Sequence, residues 1–310
     1  MSLRIVFMGT PDFAVPALDI LVRHGYVIVG VITAPDKPGG RGKHLLQSAV
    51  KKYALAQNLP VLQPTNLKSP DFLNELKSLH ADLQVVVAFR MLPEVVWSMP
   101  AKGTFNLHAS LLPQYRGAAP INWAVINGER ETGLTTFFLT AEIDTGDVLF
   151  QEKIAIGENE TAGELHDRMM IIGADLVLKS VQTIESGNFQ LLPQNEALAS
   201  KAPKIFHETC EINFKQPAAA VHNFIRGLSP YPAAWTTLKG KNMKILRTVV
   251  VNEPHKVEPG LPPGQFIIEG KRRLWIATMD GFIDVLEIQP EGAKRMDAAS
   301  FLNGYRSWLN

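Results

Sequence analysis

Asn106 and His108 stand two residues apart in the stretch Phe105-Asn106-Leu107-His108. The stretch reads as the end of a strand, whose period of two puts both polar side chains on one face and Phe105 and Leu107 on the other. An amide donor beside an imidazole is suited to holding a carbonyl oxygen as it turns into an oxyanion. The same pair also serves merely to bond loop backbone, and Asn-x-His alone does not choose between the two. A third group follows 36 residues after the histidine, in Ala141-Glu142-Ile143-Asp144-Thr145-Gly146-Asp147. Asp-Thr-Gly marks a tight loop that presents a carboxylate, and a carboxylate beside an imidazole orients it and favours its charged form. Asp-Thr-Gly also occurs in aspartic proteases. That chemistry needs a second such motif or a homodimer, and an all-β lobe, which the pattern here does not have.

The elements that must position these groups alternate. Strand patterns fall at 3–8, 27–33, 60–62, 83–89 and 104–107, and helical spacing at 11–23, 48–57, 69–78 and 120–127. The alternation predicts βαβ units: an α/β, doubly wound, mostly parallel Rossmann-like sheet with ligands at the C-terminal ends of the strands. Further strands are expected at 135–139 and 148–154. Thr161-Ala162-Gly163-Glu164 is a capping-box pattern opening a long helix to about 185, stopped by Gly187. Beyond Leu191 the period is lost. A helix at 217–227, short strands at 234–238, 243–251, 264–268, 273–277 and 281–288, and a last helix near 297–306 suggest a small OB-like β-barrel. The expected division is a catalytic domain at 1–190, a linker at 191–210 and a C-terminal barrel at 211–310.

The turn after the first strand, Met8-Gly9-Thr10-Pro11-Asp12-Phe13, has a single glycine where a dinucleotide fingerprint needs three, which argues against nicotinamide or flavin. Gly42-Lys43 is followed by His44, so a P-loop also fails. The 310 residues, 46% of them hydrophobic, suffice for two cores. No apolar run approaches the ~18 residues that span a bilayer, and no signal-type start is seen, so a cytoplasmic protein without membrane contact is expected. The lone Cys210 excludes an internal disulfide and fits a reducing compartment; with only His207 nearby it reads as a small semi-buried residue. The net charge of +1 hides an asymmetry: residues 1–200 carry −4 and residues 201–310 carry +5. A basic last third suits an anionic partner, or reflects chance variation over a surface. The loop Pro35–Lys43 sets Lys37, Arg41 and Lys43 among three glycines. By composition alone it is a solvated loop or an RNA-following one.

Together the motifs resemble a known family. His108-Ala109-Ser110-Leu111-Leu112-Pro113 with Asn106 before it, then Arg116-Gly117-Ala118-Ala119-Pro120, then Asp144-Thr145-Gly146, is similar in order and spacing to the 10-formyltetrahydrofolate-dependent formyltransferases. Met8–Ala14, the loop Asp36–Lys43 and Glu131-Thr132-Gly133 resemble the branch of that family whose acceptor is methionine carried on a tRNA. The resemblance implies a one-carbon transferase acting in translation initiation. Its catalytic residues would be Asn106, His108 and Asp144, with 10-formyltetrahydrofolate as cosubstrate, no metal and no covalent enzyme intermediate. The cosubstrate would lie against Phe89, Arg90, Met91, Leu92, Ser110, Leu111, Leu112, Pro113, Thr140, Ala141 and Glu142. Lys37, Arg41, Lys43, Arg116, Lys241, Lys244, Lys271, Arg272 and Arg273 would meet the tRNA, and the chain would act as a monomer. Two departures stand out: Phe89-Arg90 replaces the usual Tyr-Gly at the strand end, and Ile143 replaces the Leu before Asp-Thr-Gly. The nearest rival, a UDP-amino-sugar formyltransferase, keeps the chemistry and changes the acceptor. A formyl hydrolase would use water and leave the basic loop idle.

Overall fold

The computed structural model describes residues 3–39, 45–252, 260–270 and 272–309. The chain forms two compact units: Met1–Gly117, Gly133–Ile154 and His166–Lys201 make the first, and Ala118–Thr132, Ala155–Leu165 and Ala202–Asn310 the second.

The first unit is built on a seven-stranded sheet. Edge to edge its strands are Val148–Ala155, Glu131–Phe138, Thr104–His108, Leu83–Val87, Arg4–Gly9, Val27–Ile32 and Val61–Leu62. The pairings from Thr104–His108 to Val61–Leu62 are parallel, and that of Thr104–His108 with Glu131–Phe138 is antiparallel. The chain steps one way from Arg4–Gly9 and later returns on its other side, so strand order reverses between Arg4–Gly9 and Leu83–Val87. Such a switch point opens a crevice at the carboxyl ends of the strands. Gly9 pairs with Val87 there. A Cβ on Gly9 would lie 2.7 Å from the Ala14 Cβ and 3.0 Å from the Val87 oxygen, so this glycine serves close packing of strand and following turn. Ile5, Phe7, Leu83, Val85 and Phe105 are fully buried in this sheet. Each such side chain contributes about 1.5–3 kcal/mol.

The helix Ala162–Ser186 has the capping box its sequence suggests. Thr161 Oγ1 accepts from the Glu164 N–H at 3.2 Å, Glu164 Oε2 accepts from the Thr161 N–H at 2.9 Å, and Gly187 follows the helix at φ +72°. A Cβ at Gly173 would come within 2.8 Å of Leu107 Cδ2. The glycine therefore lets the helix lie closely on the apolar face of the strand that carries Asn106 and His108. Among the described residues no helix is long and apolar enough to cross a membrane.

The second unit holds an antiparallel sheet in the order Ala234–Leu238, Lys241–Val250, Phe282–Pro290, Arg273–Ala277, Phe266–Glu269, with Met296–Asp297 pairing to Phe282–Pro290. Helix Ala218–Leu228 packs on it through Val221 and Ile225, within a core that also takes in Ile245, Ile276 and Phe301. The short helix Pro120–Ile126 packs on Ala218–Leu228. Gly227 permits that approach, since its Cβ would sit 2.8 Å from the Ile126 nitrogen. Cys210 belongs to this core, its thiol on the Phe206 carbonyl at 3.2 Å and pushed up in pKa by burial.

Candidate active site

The sheet delivers His108 at the last position of its strand, which pairs with Leu83–Val87, one of the two strands of the switch point, with Asn106 two residues earlier. His108 is 6% exposed. Its Nε2 lies 2.9 Å from the Tyr115 carbonyl. A carbonyl only accepts, so Nε2 carries a hydrogen and Nδ1 is the nitrogen left for chemistry. Asp144 Oδ2 stands 3.7 Å from that Nδ1 and accepts from the Gly117 N–H at 2.9 Å. The imidazole–carboxylate separation is longer than a hydrogen bond. The Asn106 Oδ1 is buried and has no hydrogen-bond partner. Buried amide oxygens are normally satisfied, so this one stands out.

Three non-glycine residues with left-handed backbone surround these groups: Ala88 at φ +48°, Tyr115 at +57° and Asp144 at +56°. Each such conformation costs on the order of 1–3 kcal/mol and persists where neighbours over-determine it. Two of the three hold the imidazole, Tyr115 through its carbonyl and Asp144 through its carboxylate. The Asp-Thr-Gly turn depends on Gly146, where an added Cβ would sit 1.7 Å from the Phe138 oxygen. Thr145 Oγ1 closes the loop on Thr140 Oγ1 at 3.0 Å and on the Glu142 carbonyl at 3.2 Å.

The expected cosubstrate residues divide by placement. Arg90, Met91 and Leu92 line an open cleft of about 990 Å³ shared with Thr65–Lys68; Asn106, His108 and Asp144 do not line it. Arg90 is held there, donating from Nη1 to the Thr65 carbonyl at 3.0 Å and from Nη2 to the Pro64 carbonyl, with its guanidinium over the Phe89 ring. The arginine that departs from the family pattern thus ties two strand-end loops together. Thr140, Ala141 and Glu142 are exposed, Leu111 and Pro113 half-buried. Ser110 and Leu112 are buried. The Ser110 hydroxyl is bonded to the Gln114 carbonyl at 2.6 Å, and the Leu112 carbonyl accepts from Gln151 at 2.8 Å. Both side chains face inward and hold the loop that carries them.

The expected RNA-facing residues are scattered. Arg41, Lys43 and Lys271 lie outside the described residues. Lys37 is exposed on a short ladder with Leu46. Its neighbour Asp36 is anchored by Lys51 Nζ at 2.7 Å and by Gln63 at 2.8 Å, and the Lys51 contact holds the carboxyl below its usual range. In the second unit, Lys241 sits over the Trp308 ring at 4.5 Å, Lys244 is half-buried mid-strand, Arg272 is exposed, and Arg273 Nε is 2.9 Å from Asp284. Arg116 is engaged: its Nη1 and Nη2 meet both Glu196 oxygens at 2.8 and 2.6 Å, and Nη2 also reaches Gln194 Oε1 at 2.7 Å. The Glu196 contact raises the guanidinium pKa further. Gln194, Glu196 and Ser200 drew no attention in the sequence, because they fall in a stretch without period or motif.

Comparison with known proteins places the chain in a family. Residues 3–181 match the family model for formyl transferase, and 204–306 match that for the formyl transferase C-terminal domain. The methionyl-tRNA formyltransferase of Bacteroides fragilis is 53% identical over 313 residues, covering 98% of this chain and 95% of that protein. An N-formyltransferase from Helicobacter canadensis, solved with folinic acid and dTDP-3-aminofucose, aligns with TM-score 0.69 at 22% identity over 95% of this chain and 100% of that one. HypX from Aquifex aeolicus, solved with tetrahydrofolic acid, aligns with TM-score 0.66 at 18% identity over 100% of this chain and 48% of that one. The chain therefore belongs to the methionyl-tRNA formyltransferase family.

Proposed function

We propose that the chain formylates the free amino group of methionine carried on initiator tRNA, taking the formyl group from 10-formyltetrahydrofolate, as a monomer in the cytoplasm. In this reading residues 1–190 carry the chemistry and 211–310 take part in holding the tRNA. The observation that carries the reading is an imidazole and a carboxylate 3.7 Å apart beside a buried, unpartnered Asn106 Oδ1, in a chain 53% identical to a methionyl-tRNA formyltransferase over nearly its whole length.

The cosubstrate supplies an amide-like formyl carbon whose oxygen gains negative charge as the amine adds. The side-chain N–H of Asn106 and the Nδ1–H of a charged His108 stabilise that oxygen, with Nε2 committed to the Tyr115 carbonyl. Asn106 Oδ1 is free to accept from the incoming amine and so to orient its lone pair. Asp144 stabilises the imidazolium and takes up the proton that the amine must lose; collapse of the adduct then breaks the bond from the formyl carbon to N10, and that proton passes to N10 as tetrahydrofolate leaves. The crevice end of the sheet, with Phe89, Leu92 and the loop 140–144, offers an apolar slot with backbone hydrogen-bonding groups for a pterin.

The test offers labelled 10-formyltetrahydrofolate with methionyl-tRNA, with a UDP-amino sugar, and alone. Transfer to methionyl-tRNA only is expected, and transfer to the sugar or to water would overturn the acceptor assignment. Asn106→Ala should lose about 10²–10³ in kcat with its melting temperature kept; near-normal turnover would remove Asn106 from the chemistry.

A further inference from the structure

The carboxylate that faces His108 sits on a half-buried turn in a strained conformation, and something must hold it. Gln194 does so from a distant part of the chain. Its Nε2 donates to the carbonyls of Asp144 at 2.9 Å and Gly146 at 2.8 Å, the two that flank Thr145. Its Oε1 accepts from Arg116 Nε at 3.2 Å and Nη2 at 2.7 Å. The orientation of this amide is set by its partners: turned over, it would point oxygen at two carbonyls and N–H groups at a guanidinium. Both of its amide hydrogens are therefore committed to the Asp144 turn.

The other end of the linkage is equally specific. Arg116 lies between Tyr115, whose carbonyl fixes His108, and Gly117, whose N–H fixes Asp144. That short segment is itself tied down by Ser200, which accepts from the Tyr115 N–H through Oγ at 2.9 Å and from the Arg116 N–H through its carbonyl at 2.9 Å. Glu196 completes the hold on the guanidinium. One stretch, 194–200, thus grips both pieces of backbone that present the imidazole and the carboxylate.

We propose that Gln194 is a positioning residue for the transfer, fixing the Asp144 carboxylate at its distance from His108 by clamping the Asp-Thr-Gly turn to the Arg116 segment. This rests on the assignment of His108 and Asp144 to the chemistry. Gln194→Glu keeps the size of the side chain and an oxygen for Arg116 but removes both donors to the turn. Misplacement of a reacting group by about 1 Å costs up to ~10² in rate. The expected result is a kcat lower by about 10- to 100-fold, with KM for methionyl-tRNA and for the folate, and the melting temperature, close to those of the unaltered enzyme. In an Asp144→Asn background, read by single turnover, the same change should have no further effect, because groups acting through one another are not additive.

Unaltered kcat in Gln194→Glu, a loss confined to KM or to the melting temperature, or an equal loss in the Asp144→Asn background would each overturn the proposal. His108→Ala and Asp144→Asn as single variants separate the two assignments. If both turn over normally, the assignment of the chemistry fails and takes the clamp with it. If both are slow while Gln194→Glu is normal, the clamp alone fails.

Discussion

The polar groups around His108 and the basic groups of the second unit are held in opposite ways. At the strand end named partners tie His108 Nε2 to Tyr115, Asp144 Oδ2 to Gly117 and the turn to Gln194, while His108 Nδ1 faces the carboxylate at 3.7 Å and Asn106 Oδ1 has no partner. In the second unit Arg272 is exposed and Lys241 merely rests on an indole ring. The difference matches the physics of the two tasks proposed for these regions. Stabilising charge on one oxygen requires placement within a fraction of an ångström. Attraction to a phosphate backbone acts over the Debye length of about 10 Å and tolerates moving side chains. Left-handed non-glycine backbone occurs in both, at Tyr115 and Asp144 beside the imidazole and at Ala233 and Lys239 in the second unit, so strain does not separate the two regions.

The comparison breaks most visibly at Gly146. Gly146→Ala places a Cβ against the Phe138 oxygen, where backbone and not a flexible side chain must move. The turn that carries Asp144 then shifts, and kcat should fall by about 10² or more. Stability should change by only about 1–3 kcal/mol. Turnover measured beside a melting curve checks this. A variant that keeps its kcat would mean that the carboxylate need not be placed accurately, and the contrast between the regions would disappear.

What the sequence made legible follows the same division. Period-two spacing placed Asn106 and His108 on one strand end, and the capping box at Thr161–Glu164 and the stop at Gly187 were readable because they depend on residues close in sequence. The alternation of strands and helices led to the mostly parallel sheet for the same reason. The network that fixes the site was not readable. Gln194 reaches Asp144 across 50 residues and Ser200 reaches Tyr115 across 85, and a lone polar side chain in an aperiodic stretch carries no local signal of such a partner. Nor did composition show that Arg116 is engaged with Glu196, since an arginine between a loop and a helix looks the same whether its partner is protein or phosphate.

A smaller effect tests how the second unit is held together. His222 is buried against Thr248 at 3.0 Å, and burial, opposed only in part by the Glu158 carbonyl, lowers its pKa. The Arg226 guanidinium beside it adds to the lowering. Above the unfolded-state value both states hold a neutral ring and the contribution is intact. As pH falls below that value the unfolded chain takes up the proton first, so stability is lost progressively until the folded-state pKa is passed. Melting temperatures taken from pH 7 down to pH 5 should therefore fall, and the fall should be shallower in His222→Gln. Equal slopes in the two proteins would show that another group governs acid lability.

The smallest effects lie among the basic residues, and two neighbours sharpen the contrast. Arg272 is exposed, whereas Arg273 pairs with Asp284, a carboxylate only 4% exposed, and lies over Trp275. If Arg272 meets phosphate, Arg272→Gln should raise KM for methionyl-tRNA a few-fold, leave kcat alone and reduce the salt slope of binding by about 1. Arg273→Gln should behave differently. It leaves a buried acceptor without its donor, which costs about 1–3 kcal/mol of stability, and it changes the salt slope less because the lost charge was already neutralised locally. Binding titrations at several salt concentrations, paired with melting curves, read both quantities. Identical behaviour of the two variants would mean that the ion pair does not persist in solution, and that both arginines belong to one diffuse positive field.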